Sequence, residues 1–115
     1  MFQVRRRRRQ FNSGESPPPQ ITNWSPDPLS DMPESFTCTG LHFGPTQGSG
    51  KVYLGNASTY AASTTLTEQS VSTWADEQIT GTTDITGMGE QAWVYVLTDE
   101  GLVNAAGYHV PIIPV

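Results

Sequence analysis

The sequence predicts an all-β domain, a β-sandwich carried behind an extended N-terminal arm. Hydrophobic residues make up 36% of the 115 residues and charged residues only 15%, so much of the surface must consist of small polar side chains. The chain also contains 11 glycines and 9 prolines, which suit short strands and tight turns better than helices. A chain of this length fits one domain with one core, without room for a deep, walled active site.

Residues 1–19 are predicted to form the arm, and residues 20–115 the sandwich. Five of the six basic residues are consecutive: Arg5, Arg6, Arg7, Arg8 and Arg9. Pro17-Pro18-Pro19 then imposes an extended path on the chain. After the arginines the chain carries one lysine and eleven carboxylates, a net charge of 1 − 11 = −10. This asymmetry predicts an arm that binds another negative surface, or folds back on its own body or that of a neighbouring copy.

The alternation of apolar and polar residues predicts short strands along the rest of the chain. Phe36 and Cys38 alternate with threonines, so both side chains should lie on the same face of one strand. The clearest strand is predicted at 92–97, with others at 21–24, 52–54 and 108–112. Residues 57–69 should contain one weak edge strand and a loop, and residues 81–90 should be a loop. Short strands separated by Gly, Pro and Asn turns are typical of a β-sandwich.

Five short motifs in this order resemble those of the IPT/TIG family of immunoglobulin-like domains. They are Ile21 to Trp24-Ser25-Pro26, Phe36 to Gly44, Val52-Tyr53-Leu54-Gly55, Trp74-Ala75-Asp76-Glu77-Gln78-Ile79, and Val94-Tyr95-Val96 followed by Gly101-Leu102-Val103-Asn104. The resemblance covers roughly residues 20–113 and implies an immunoglobulin-like sandwich that binds a partner rather than an enzyme. The segment 99–108 looks most similar to repeats in phage and bacterial structural proteins, which implies a virion component.

No pattern in the sequence predicts a catalytic residue, a metal site or a cofactor. His42 and His109 lack the spacing of zinc ligands and are expected at the surface or at strand edges. Cys38 has no cysteine partner and is expected to be a small buried hydrophobe rather than a nucleophile. The calcium-loop pattern is also absent, so we expect solvated turn residues at three clustered carboxylates, Asp27, Asp31 and Glu34.

Two surfaces are predicted to bind partners. The first is the arginine run, whose guanidinium groups can form paired hydrogen bonds to carboxylates or phosphates. The second is a row on one strand, Trp93, Tyr95 and Leu97, which share a face if Val94 and Val96 fill the core. Exposed aromatic side chains in such a row would make a good contact surface. The alternative is that residues 57–70 or the arm cover this row.

These features together predict a non-enzymatic virion structural protein, a capsid decoration or head-associated protein of a tailed phage. Its arm should dock on the major capsid protein or another virion protein, with copies of itself as a further partner. The alternative is a glycan- or host-surface-binding module of a tail or adhesion component. Nucleic acid is disfavoured as the main partner because the acidic body repels phosphates. No signal peptide or membrane-spanning stretch is recognised, so the protein should be made in the host cytoplasm.

Overall fold

A computed structural model describes residues 17–113, which form two antiparallel four-stranded sheets and no helix. The strands in chain order are β1 (Gln20–Ser25), β2 (Ser35–Leu41), β3 (Lys51–Gly55), β4 (Leu66–Glu68), β5 (Ser70–Trp74), β6 (Gln78–Thr82), β7 (Gln91–Leu97) and β8 (Tyr108–Pro111). Sheet one has the order β1-β2-β6-β5, and sheet two has the order β4-β3-β7-β8. This part of the chain therefore contains no helix that could cross a membrane.

The strand order is that of an immunoglobulin-like sandwich. In the constant-type immunoglobulin fold, strands A, B, E and D form one sheet and strands C, F and G form the other. The strands β1, β2, β6 and β5 occupy the first set of positions, and β3, β7 and β8 occupy the second. Strand β4 adds an edge beside β3. The predicted all-β, immunoglobulin-like fold is confirmed.

Strands β4 and β5 form one nearly continuous segment that passes from sheet two to sheet one at Gln69. The Gln69 side chain is 2% exposed and fully paired. Its Nε2 donates to the carbonyl oxygens of Thr67 at 2.9 Å and Asp84 at 2.8 Å, and its Oε1 accepts from the Asp84 amide at 2.8 Å. Its own amide donates to the Val52 carbonyl at 2.7 Å. A buried amide satisfied in this way fixes the crossing point of the strand.

The core lies between the two sheets and follows the predicted alternation. Phe36 and Cys38 are both buried, and Phe36 stacks on Trp24 with ring centroids 4.6 Å apart. Val94 and Val96 enter the core from β7, as predicted. Cys38 is the buried hydrophobe that the sequence indicated, and its burial raises the pKa of the thiol to about 12. The remaining buried members are Leu29, Phe43, Val52, Leu54, Ile79, Ala92, Val110 and Ile112.

Two segments differ from the prediction. The interpretation of residues 81–90 as a loop was wrong at its start, because β6 continues to Thr82 in the middle of sheet one. There Gly81 pairs with Phe36 on one side and Val71 on the other, and this backbone pairing needs no apolar side chain. Residues 102–104, placed in a closing hairpin by the family motif, turn back on β7 through a single antiparallel bridge between Leu97 and Val103, and the last strand, β8, begins only at Tyr108. The weak edge strand expected within 57–69 is confirmed as β4.

Three loops meet at the end of the sandwich where β1 begins, and we call this the loop end. They comprise residues 42–50, 75–77 and 98–107, which join β2 to β3, β5 to β6 and β7 to β8. Trp74 Nε1 donates to the carbonyl oxygens of Phe43 and Gly44 at 3.2 Å each. The Ser49 amide donates to Asp99 at 2.7 Å. These bonds hold the loops together, so the loop end presents a fixed surface.

Candidate functional site

The arm joins the sandwich at the loop end. The predicted arginine run, Arg5 to Arg9, lies outside the described residues, as does most of the arm. The last arm residues, Pro17 and Pro18, are exposed, whereas Pro19 is buried against the sandwich just before β1. The surface next to Pro17 is therefore the part of the body that the rest of the arm meets first.

A groove of about 290 Å³ lies at the loop end, between residues 42–46, Asp76 and residues 98–100. We call it the acidic groove. Its accessible apolar lining comes from Pro17 and Pro45, because Phe43 is fully buried, and its carboxylates come from Asp76, Asp99 and Glu100. The groove therefore offers an apolar surface on which a side chain can pack, with three carboxylates beside it.

The carboxylates of the acidic groove have no lysine or arginine partner among residues 17–113. Lys51 is the one lysine or arginine in that range, and its Nζ lies 3.0 Å from the Glu68 carboxylate. Asp76 Oδ1 accepts from the Gly44 amide at 3.0 Å, and Asp99 Oδ1 accepts from the Ser49 amide. Within this part of the chain no donor reaches the second oxygen of either aspartate, so both can accept from a ligand.

A second groove of about 530 Å³ lies on the other side of Pro17 and His42. Residues 17–21 line one wall and residues 103–108 the other, and no carboxylate takes part. The arm therefore leaves the sandwich between a groove that carries negative charge and a groove that carries none. A basic segment is attracted to the first of these.

The predicted sheet face requires a correction at Tyr95. Trp93, Tyr95 and Leu97 do share the outer face of sheet two, opposite Val94 and Val96. However, Tyr95 is 0% exposed because the loop 56–65 covers it, which was the alternative for this row. Its hydroxyl donates to the Ala57 carbonyl at 2.6 Å, and its ring meets the edge of Tyr60 at 5.4 Å. Tyr95 therefore anchors a loop and does not present itself to a partner.

Two glycines make room for the Tyr95 ring. A Cβ built on Gly55 would lie 2.7 Å from Tyr95 Cε2, and one built on Gly107 would lie 2.8 Å from the hydroxyl oxygen. Burial also raises the pKa of the Tyr95 phenol, as expected for a hydroxyl covered by a loop. Trp93 and Leu97, both half-buried, are the members of the predicted row that remain accessible. The ring centroids of Trp93 and His109 lie 5.2 Å apart.

Replacing Tyr95 with phenylalanine should lower the free energy of unfolding by about 1 kcal/mol, because the Ala57 carbonyl loses its donor. Amide hydrogen exchange in residues 56–65 should become faster, since the loop loses its anchor. Tyr53→Phe is the matched control, because Tyr53 lies beside Tyr95 on the same face and its hydroxyl makes no bond within residues 17–113. Equal effects of the two changes in denaturant unfolding would contradict the anchoring role.

The other candidate groups lie at the surface or in turns. His42 and His109 are exposed, as predicted, and residues 17–113 contain no cluster of three metal-ligating side chains. Glu34 accepts from the Ser30 amide at 3.0 Å, which is the turn role expected for it. Hydrogen bonds from the Thr86 side chain and amide lower the pKa of Asp84, which closes a similar turn.

Sequence reasoning missed the acidic groove and the buried amide of Asn104. The groove is formed by four segments that are distant in the chain, so no local motif could reveal it. Asn104 is 8% exposed and bonds to β7, yet its neighbours show no periodicity that marks a buried position. No family model matches this chain, and the comparison with curated proteins found no match either.

Proposed function

We propose that this protein is a non-enzymatic assembly module that attaches to a larger structure through its basic arm. In the most specific form of the proposal it is a virion protein that decorates the capsid of a tailed phage, bound to the major capsid protein. The observation that carries the proposal is the separation of charge. Five of the six basic residues of the sequence lie in the arm, and the body holds one lysine against ten carboxylates in residues 17–113, or 1 − 10 = −9.

This separation favours docking on a protein surface. Five neighbouring guanidinium groups can each bind a carboxylate through two hydrogen bonds, so an acidic patch on a partner would hold the arm. Nucleic acid would also attract the arm, but its regularly spaced phosphates would repel the acidic body more than a single acidic patch on a protein would. The sandwich itself would then remain free to contact neighbours or to protrude from the assembly.

Support for the virion setting comes from the resemblance of residues 99–108 to repeats in phage structural proteins and from the immunoglobulin-like fold. This segment includes part of the loop end, which is the side of the sandwich that faces whatever the arm binds. A docked copy would therefore place residues 98–107 near the shell. The opposite end would point away from it.

Deleting residues 1–16 should abolish incorporation into shells of the virus that encodes the protein. Occupancy can be measured by quantitative gel analysis of purified particles after complementation with the variant. The control is a full-length chain in which residues 5–9 become lysine, which keeps the charge and loses the paired geometry. We expect it to bind with reduced salt resistance. If the variant without residues 1–16 is incorporated as fully as the parent protein, the proposal is wrong.

The alternative function, a glycan- or host-surface-binding module, is favoured by one observation, the accessible flank formed by Trp93 and His109. An indole face of this kind can stack on a sugar ring. Under this alternative, Trp93→Ala should remove binding on a glycan array, and deletion of residues 1–16 should leave it intact. If the parent protein binds no glycan on such an array, the alternative is rejected.

A further inference from the structure

We propose that in the free protein the arginine run, residues 5–9, binds in the acidic groove of its own sandwich. The inference goes beyond the proposed function because it concerns the protein before it meets a partner. It commits to one occupant of the groove, a segment of the same chain. Position, charge and the cost of closing the loop support this occupant.

The arm starts at the groove it would occupy. Pro17 belongs to the lining of the acidic groove, so the segment that precedes it begins at the groove wall. Seven residues, 10–16, separate Arg9 from Pro17. They can span at most about 25 Å when extended, and Gly14 among them allows the chain to reverse direction. The arginine run is therefore within reach of the groove without any change in the sandwich.

The charges of the groove and the arginine run are complementary. Asp76 and Asp99 each keep one carboxylate oxygen that accepts no bond within residues 17–113, and Glu100 is exposed. Arginine is suited to this combination because its guanidinium binds carboxylates while its methylene stem packs on apolar surface. Pro17 and Pro45, both exposed, provide that apolar surface in the lining.

Binding within one chain is favoured over exchange between two copies. Closing a loop of seven residues costs little entropy, and a linker this short keeps the arginines at about a millimolar effective concentration near the groove. Two bodies that each carry −9 over residues 17–113 repel each other, which opposes the exchange. The arm of the same chain therefore occupies the groove until a more acidic surface on a partner competes for the arm.

A paramagnetic label on the arm tests this placement directly. Gln3→Cys introduces a cysteine for a nitroxide label, and the native Cys38 is buried with 0% exposure, so labelling is selective. At low salt the amide signals of Gly44, Thr46 and Thr98 around the groove should lose most of their intensity. The amides of Asn56 and Thr86 at the opposite end should keep theirs. At about 1 M salt the broadening should disappear, because the Debye length falls to about 3 Å.

Two matched double variants separate the groove from general charge attraction. Asp99→Asn with Glu100→Gln removes two charges at the groove, and asparagine keeps the acceptor for the Ser49 amide. Asp27→Asn with Glu90→Gln removes two exposed charges elsewhere. The broadening around the groove should be lost in the first double variant and retained in the second. Equal broadening in both variants, or none in the parent protein, would overturn the proposal.

A mixing experiment distinguishes the own arm from that of a second copy. Isotopically labelled protein without the nitroxide is mixed with unlabelled protein that carries it, so only contact between copies broadens the signals. We expect no broadening in the mixture, and broadening there equal to that of the single-chain sample would overturn the assignment to the own arm. These measurements need no shell, so their failure leaves the test of assembly by arm deletion unaffected.

Discussion

Replacing Gly81 with alanine should lower the free energy of unfolding by about 3 kcal/mol. Gly81 lies in β6 between β2 and β5. An added Cβ would overlap the Ser70 carbonyl oxygen and lie 2.7 Å from Phe36 Cε2. Phe36 cannot move away, because it is buried and stacked on Trp24. The methyl group must therefore push β5 out of the sheet.

Gly89→Ala is the matched control for this change. Gly89 is exposed in the loop between β6 and β7, and a Cβ there meets nothing within 4 Å. The free energy of unfolding of Gly89→Ala should stay within about 0.5 kcal/mol of the parent value. Any increase would arise because alanine lowers the conformational entropy of the unfolded chain. Urea unfolding followed by tryptophan fluorescence measures both variants. If Gly81→Ala were as stable as Gly89→Ala, the close approach of β5 to β6 would be wrong.

Replacing Asn104 with alanine should also cost about 3 kcal/mol, for a different reason. The pairing of β8 with β7 ends at Val94, and beyond that point the Asn104 side chain makes the hydrogen bonds that a neighbouring strand would make. Its Oδ1 accepts from the Val96 amide at 2.8 Å, and its Nδ2 donates to the carbonyls of Val94 at 3.1 Å and Ala106 at 2.9 Å. Alanine leaves the buried edge of β7 without these partners. Thermal unfolding should therefore start at a markedly lower temperature.

The variant Asn104→Asp sharpens the same prediction through its pH dependence. An ionised carboxylate can still accept from Val96 but would face two carbonyl oxygens, so burial and repulsion raise its pKa in the folded state. The folded protein then binds the proton more tightly than the unfolded chain does. Stability relative to the parent should therefore fall as the pH rises above the unfolded pKa of about 3.9. A pH-independent difference would contradict the assigned bonds. Asn23→Ala, at an exposed position of β1, should show neither effect.

The sequence predicted those strands in which apolar and polar side chains alternate. Phe36 and Cys38 in β2, and Val94 and Val96 in β7, alternate clearly with polar or outward-facing residues, and this alternation predicts the core face on which they lie. Strand β6 ends in Thr80-Gly81-Thr82, whose side chains carry no such signal, although the backbone pairs on both sides. Its position follows from contacts with strands distant in the sequence. Local patterning could therefore not identify its full length.

The candidate site was predictable only in part, for a related reason. Alternation correctly placed Trp93, Tyr95 and Leu97 on one face, but it could not show that Ala57 and Tyr60 would cover Tyr95. The basic arm and the acidic body were visible as composition. The acidic groove was not, because it depends on how three loops converge.

Because of the short parallel pairing of Leu29 with Ile112, the resistance of the protein to a pulling force should depend on the direction of the force. The Leu29 amide donates to the Pro111 carbonyl at 2.9 Å, and the Ile113 amide donates to the Leu29 carbonyl at 2.8 Å. The chain enters the sandwich at the loop end, and residue 113 lies at the opposite end. A pull between the arm and the last strand therefore runs along the strands and loads these bonds together, in shear. An arm held by a partner while residue 113 is drawn away would test the protein in its more resistant direction, because the bonds must break together rather than one after another.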